Sequence, residues 1–189
     1  MTQVDDLIRT VIRITAVLEG LGIPYHLTGG VSVSVYGEPR STQDIDVVVS
    51  PDTLAVRLNE FASACEPNFI VDTLQIREAV NRKGMFQLLD RETCFKVDCY
   101  AREAVCGELS RSSRLELSSS VTVNVVSHRD AILSKLLWIR KGSHRSRRDV
   151  QSLFETLSPL EQENLRAEAL EMKLLDLLET VLRDNEPRE

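Results

Sequence analysis

Four of the five residues from Ile45 to Val49 are β-branched, and the fifth is Asp46. Side chains branched at Cβ lose rotamer freedom in a helix and pack well on a pleated surface, so this run predicts a strand buried on at least one face. A buried strand needs a sheet beside it and a layer to cover it. The cover is legible nearby. From Val4 to Leu21 apolar residues fall at Val4, Leu7, Ile8, Val11, Ile12, Leu18 and Leu21, the stripe of an amphipathic helix, and Gly20 and Gly22 suit its end. Ser50-Pro51 is a cap and first-turn pair that opens another helix, expected to run to about Cys65.

Further strands are expected at Tyr25 to Thr28, Met85 to Leu89, Cys94 to Tyr100 and Val121 to Val126. A short helix of small residues, Val31 to Tyr36, follows Gly29-Gly30. Ser127 with Asp130 three residues on makes a capping box for a helix to about Arg140, and Gly142-Ser143 breaks it. Val150, Leu153, Phe154 and Leu157 stripe the next helix, and Ser158-Pro159 starts a last, acidic one to about Leu182. Residues 66–84 and 103–118 carry no clear period. The pattern predicts an α+β fold, a small mixed sheet backed by helices, with residues 1–126 as the core and 127–189 as a helical segment packed on it.

Charge divides unevenly along this order. The 189 residues carry a net −6, but 129–150 hold seven basic and two acidic side chains, while 151–189 hold four and ten. The overall acidity argues against a protein that coats nucleic acid or anionic membrane non-specifically. It leaves one basic segment, with Arg140, Lys141, Arg145, Arg147 and Arg148, able to meet phosphates locally, and Trp138 as its only aromatic. Asp5 and Asp6 stand where a signal peptide needs basic residues, and no apolar run approaches membrane-spanning length. Cys65, Cys94, Cys99 and Cys106 show no C-x-x-C pair, which suits reduced thiols. A cytoplasmic protein without a membrane partner is expected.

The chemistry concentrates at strand ends. Asp44 and Asp46 are two apart on one strand, so they share a face with roughly 6–7 Å between their Cα atoms. Two carboxylates so placed can converge on a hard divalent cation such as Mg²⁺, and a two-metal site holds its ions about 3.5–4 Å apart. A D-x-D at a strand mouth also serves simply to cap a turn or face water. Asp98 is the third carboxylate: Val97 and Cys99 mark the opposite face of its strand as core. A salt bridge near Lys96 is its bland alternative. Gly29-Gly30 suits any tight strand-to-helix turn, and the helix that follows offers N-terminal amides where a phosphate binds. Lys135 falls inside the apolar arc of its helix, so its ammonium must snorkel out or meet an anion, a triphosphate or a structural carboxylate. Asp149, beside Arg145, Arg147 and Arg148, fits a helix-surface ion pair as well as catalysis. No P-loop, nucleophile elbow or H-E-x-x-H is present, and His26, His128 and His144 read as structural or surface groups.

Together, Leu27-Thr28-Gly29-Gly30, Asp44-Ile45-Asp46 and Val97-Asp98-Cys99 resemble the nucleotidyltransferase superfamily of the DNA polymerase β type. More narrowly, Gly37-Glu38-Pro39-Arg40-Ser41-Thr42-Gln43-Asp44-Ile45-Asp46 is similar to the small bacterial AbiEii-type toxins of toxin–antitoxin systems. The resemblance covers residues 25–50, 94–100 and 127–153, and it matches Lys135 and Asp149 to the family's helical lysine and its aspartate in a basic setting. It implies transfer of a nucleoside monophosphate from an NTP to an acceptor hydroxyl, with Mg²⁺ (or Mn²⁺) on Asp44, Asp46 and Asp98. In that scheme Gly29 and Gly30 cradle the β- and γ-phosphates, Arg40 and Lys135 neutralise the triphosphate, and Asp98 helps deprotonate the acceptor. The acceptor stays open: the 3′ end of an RNA such as tRNA, a protein hydroxyl or a small molecule. A toxin would pair with an antitoxin protein. The alternatives are a small-molecule, antibiotic-type nucleotidyltransferase and a non-catalytic nucleotide- or partner-binding protein of the same fold.

Overall fold

The computed structural model describes residues 3–38, 42–118 and 121–184. Its elements run α1 (Gln3–Gly20), β1 (Tyr25–Leu27), α2 (Gly29–Tyr36), β2 (Asp44–Val49), α3 (Pro51–Val56), α4 (Leu58–Cys65), β3 (Phe69–Ile70) and α5 (Thr73–Asn81). They continue through β4 (Met85–Asp90), β5 (Lys96–Tyr100), a 3₁₀ turn (Glu108–Arg111), β6 (Ser113–Ser118) and β7 (Val121–Val125). Four helices follow: α6 (His128–Arg140), α7 (Arg145–Glu155), α8 (Pro159–Glu171) and α9 (Leu175–Arg183). The chain divides into two compact units, residues 1–31 with 41–126 and residues 32–40 with 127–189.

The first unit holds a mixed sheet in the order β3-β4-β5-β2-β1-β7-β6. β2 lies inside it, parallel to β5 and antiparallel to β1. Period-two alternation sends Ile45, Val47, Val49, Val97, Cys99, Phe86 and Leu88 into the core, every one fully buried. Each such side chain contributes roughly 1.5–3 kcal/mol on leaving water. Phe61 of α4 meets Phe86 of β4 edge-on at 6.0 Å, and α1 packs on α4 with Val11, Ile14 and Leu18 buried.

α1 is also pinned by charge. Arg13 donates to both oxygens of the fully buried Asp90, at 2.8 and 3.0 Å, and Thr10 donates at 3.1 Å. The amides of Glu92 and Thr93 donate to the same carboxylate at 2.9 and 3.1 Å. Burial pushes the Asp90 carboxyl up, but the Thr93 and Glu92 amides, Arg13 and Thr10 together hold it below the usual carboxylate range.

The helical unit packs α7 along α6 and α9, and α8 on α9, around Ile132, Leu136, Val150, Leu153, Leu165 and Leu178. The end of α2 belongs to this unit. Tyr36 stacks on His128 with ring centroids 4.6 Å apart, and the Glu38 amide donates to Ser152 Oγ at 2.8 Å. His128 Nε2 lies 2.9 Å from the Leu153 carbonyl, and burial pushes its imidazole below the ordinary histidine value.

Several boundaries differ from the sequence reading. The helix expected from Pro51 to Cys65 breaks at Arg57, whose φ of −105° and ψ of 19° leave the helical region, giving α3 and α4. The single last helix is two, because Lys173 adopts a φ of +57° and the Lys173 and Leu174 amides fold back onto the carbonyls of Leu170 and Ala169. β5 begins at Lys96 rather than Cys94, since Cys94 takes a φ of +60° to finish the preceding turn. Residues 66–84 contain β3 and α5, and 103–118 contain the 3₁₀ turn and β6.

Candidate active site

The parallel β2–β5 ladder pairs Asp44 with Lys96 and Asp46 with Asp98. Because Ile45, Val47, Val97 and Cys99 occupy the core face, Asp44, Asp46, Asp98 and Tyr100 project from the other, all half-buried. Register-paired positions are about 4.8 Å apart, and like charges at that spacing repel. Each carboxylate meets a neutral donor. Thr42 Oγ1 donates to Asp44 Oδ1 at 3.0 Å, the Tyr100 hydroxyl to Asp46 Oδ1 at 3.2 Å, and Gln87 Nε2 to Asp98 Oδ1 at 2.7 Å. Gln87 reaches its partner because β4 pairs it directly opposite Asp98. Burial pushes the Tyr100 phenol well above its usual range, and the charges of Asp46 and Asp98, the hydrogen bond to Asp46 and the charge of Asp44 push it further.

The glycine turn closes against the same face. Gly29 has a φ of +59°, and a Cβ there would lie 1.8 Å from Asp46 Oδ2 and 2.5 Å from its Cγ. Both the left-handed backbone and the missing side chain are therefore required. A Cβ on Gly30 would lie 2.6 Å from Thr42 Oγ1, and the Thr28 amide donates to the Asp46 carbonyl at 2.9 Å, tying the turn to β2. α2 starts at Gly29, so its first amides open beside Asp46.

The donor set fits a hard divalent cation: three carboxylates on one sheet face, two of them register neighbours, beside a turn that a Cβ would fill. Among the described residues no three His, Cys, Asp or Glu side chains already converge as a preformed cation cage. The carboxylates are engaged instead by Thr42, Tyr100 and Gln87.

The helical unit contains the other two residues singled out in the sequence. Lys135 and Asp149, 6% and 5% exposed, form an ion pair with Nζ to Oδ2 at 2.6 Å, bridging α6 and α7. The anion that Lys135 meets in this structure is a carboxylate. Arg40 lies outside the described residues. Of the basic segment, Arg129 pairs with Glu168 and Arg147 with Asp184, so part of its charge is cancelled by the acidic tail. Arg140, Lys141, Arg145 and Arg148 are exposed, and Lys141 lies over the Trp138 ring at 5.1 Å. The four cysteines are free thiols, Cys65 and Cys99 buried, Cys94 and Cys106 exposed.

Tyr100 and Gln87 escaped the sequence reading. The available signal was positional: Tyr100 is two residues beyond Asp98 on the same strand face, while Gln87 needed the β4–β5 register to be known.

A family model described as a nucleotidyl transferase AbiEii toxin of a type IV toxin–antitoxin system matches residues 13–181. No curated protein matches the chain. Among solved structures, ANT(2″)-Ia in complex with adenylyl-2″-tobramycin is similar at a TM-score of 0.61 and 15% identity, over 92% of this chain and 99% of that one. The solution structure of the antibiotic-resistance factor ANT(2″)-Ia aligns at 0.59 and 16%, over 93% and 95% of the two chains. An antigenic nucleotidyltransferase-like protein from Paracoccidioides brasiliensis aligns at 0.51 and 16%, over 92% and 91%. At these identities the likeness is one of fold.

Proposed function

The chain belongs to the nucleotidyl transferase AbiEii toxin family, and from that premise we propose that it transfers a nucleoside monophosphate to an RNA 3′ hydroxyl through the carboxylate face of β2 and β5. The observation that carries the site is the pairing of Asp46 with Asp98 while Asp46 also closes against Gly29. One face thus joins paired carboxylates to a glycine turn at the start of α2.

In this reading the Gly29-Gly30 turn and the first amides of α2 bind the NTP phosphates. Asp44, Asp46 and Asp98 hold Mg²⁺ (or Mn²⁺), which when bound supplies charge neutralisation on the phosphates and acidifies the attacking hydroxyl. Asp98 takes the acceptor's proton on a carboxylate oxygen. The acceptor oxygen forms its bond to the α-phosphorus as the bond to the bridging β-phosphate oxygen breaks, and pyrophosphate leaves. Lys135 and Asp149 act as a pair that the reaction requires, and Arg40 meets the triphosphate.

The RNA acceptor is supported by the family's toxin character and by the exposed Arg140, Lys141, Arg145 and Arg148. The protein works in the cytoplasm against NTP and RNA, restrained by a cognate antitoxin protein. Among the described residues no helix is long and apolar enough to cross a membrane.

The test is incubation with Mg²⁺, each α-labelled NTP and, in separate reactions, total RNA, cell protein and an aminoglycoside. Label in RNA that disappears with Asp46→Ala supports the reading. Label in the aminoglycoside alone assigns a small-molecule transferase. NTP binding without transfer to any acceptor assigns a binding role and overturns catalysis.

A further inference from the structure

Two side chains beside the carboxylates have hydrogen bonds that the sheet itself does not require. Tyr100 is register-paired with Val48, not with Asp46, yet its hydroxyl reaches diagonally across the ladder to Asp46 Oδ1 at 3.2 Å. Gln87 is exposed on β4 and places its amide 2.7 Å from Asp98 Oδ1. Neither hydrogen bond replaces a backbone bond of the ladder. What they share is their target: one oxygen each of the two register-paired carboxylates.

A carboxylate on a strand can turn about its χ2 bond at little cost, because that torsion is broad. Two adjacent carboxylates repel and turn apart unless something holds them. A neutral donor on one oxygen fixes the plane of the group and directs the second oxygen. For Asp46 the direction is visible: Oδ1 is held by Tyr100 and Oδ2 lies against the Gly29 turn, 1.8 Å from where a Cβ would stand. Gln87 holds Asp98 in the same manner, by an uncharged amide that adds no further negative charge to the face. Outer partners of this kind typically account for 10–100-fold in metal affinity.

We propose that Tyr100 and Gln87 are positioning residues that orient Asp46 and Asp98 toward a divalent cation. This inference rests on the reading of Asp44, Asp46 and Asp98 as cation ligands. It assigns the two residues no contact with the NTP and no proton transfer.

The test uses the full chain with Mn²⁺ alone, free Mn²⁺ being read by its electron paramagnetic resonance signal. The variants are Tyr100→Phe and Gln87→Met, which keep side-chain size and remove the donor, and Asp46→Asn as reference. A thermal melt within a few degrees of the parent establishes that each is folded. The expected result is a Kd for Mn²⁺ about tenfold higher in Tyr100→Phe and in Gln87→Met, with the Mg²⁺ requirement for turnover raised in step and kcat recovered at saturating Mg²⁺. An unchanged or tighter Kd in both variants, with binding abolished in Asp46→Asn, overturns the positioning role and leaves the cation site intact. Binding that Asp46→Asn does not alter overturns the positioning role and the cation site together.

Discussion

The Asp46 carboxylate occupies the space in which a side chain on Gly29 would begin, its Oδ2 1.8 Å from the ideal Cβ position. A strand residue and a turn residue 17 positions apart in sequence are thereby made to depend on each other. Gly29→Ala must move that carboxylate and also hold an L residue at a φ of +59°, a strain of about 1–2 kcal/mol. The expected outcome is a loss of roughly that size in chemical denaturation together with loss of NTP binding by titration calorimetry. A variant as stable and as tightly binding as the parent contradicts the geometry.

The buried Lys135–Asp149 pair separates structure from reaction. Lys135→Met removes the cation from the buried ion pair and should cost about 3–5 kcal/mol, whereas replacing both partners by apolar residues of similar size recovers most of that. The Lys135→Met/Asp149→Leu double variant is therefore expected to melt near the parent and to remain inactive in nucleotide transfer. Recovery of activity along with stability reassigns the pair to holding α6 on α7.

Much of the site was legible because it is local in sequence. Gly29-Gly30, the D-x-D of Asp44 and Asp46, and Asp98 between two core residues each announce themselves within a few positions. Tyr100 and Gln87 did not, because their meaning depends on which strands lie side by side. Among the elements, β2 followed from its run of β-branched residues and α1 from the period of its apolar stripe. The break between α8 and α9 was hidden because Lys173 takes the left-handed position with no glycine to mark it. β3 has two residues and β6 alternates weakly against a shifted register, so neither leaves a period long enough to read.

Asp90 gives the fold an acid sensitivity of defined sign. Its folded-state value lies below that of an unfolded carboxylate, so the stability it contributes is fully present above the unfolded value, about 3.9, and is lost as pH falls through the folded one. Thermal unfolding of the parent should therefore fall away below about pH 4, and the fall attributable to this carboxylate should be absent in Asp90→Asn, which starts less stable at neutral pH. Parallel pH profiles in the two proteins contradict the assignment.

The exposed bases of the helical unit carry the RNA reading. Arg140→Ala/Lys141→Ala/Arg145→Ala is expected to raise the Kd for RNA and to flatten its dependence on salt, by about 0.7 in log–log slope for each single-strand phosphate that the variant no longer neutralises. NTP binding should not change. An unaltered slope places the RNA elsewhere.

Pyrophosphate release reports most directly on whether Asp46 and its neighbours perform nucleotidyl transfer. Purified protein with Mg²⁺, NTP and total RNA is followed by pyrophosphate appearance, for the parent and for Asp46→Asn. The expected result is RNA-dependent release by the parent and a rate at least a hundredfold lower, about 2.7 kcal/mol of transition-state stabilisation, in a folded Asp46→Asn. Equal rates in the two proteins would contradict the account.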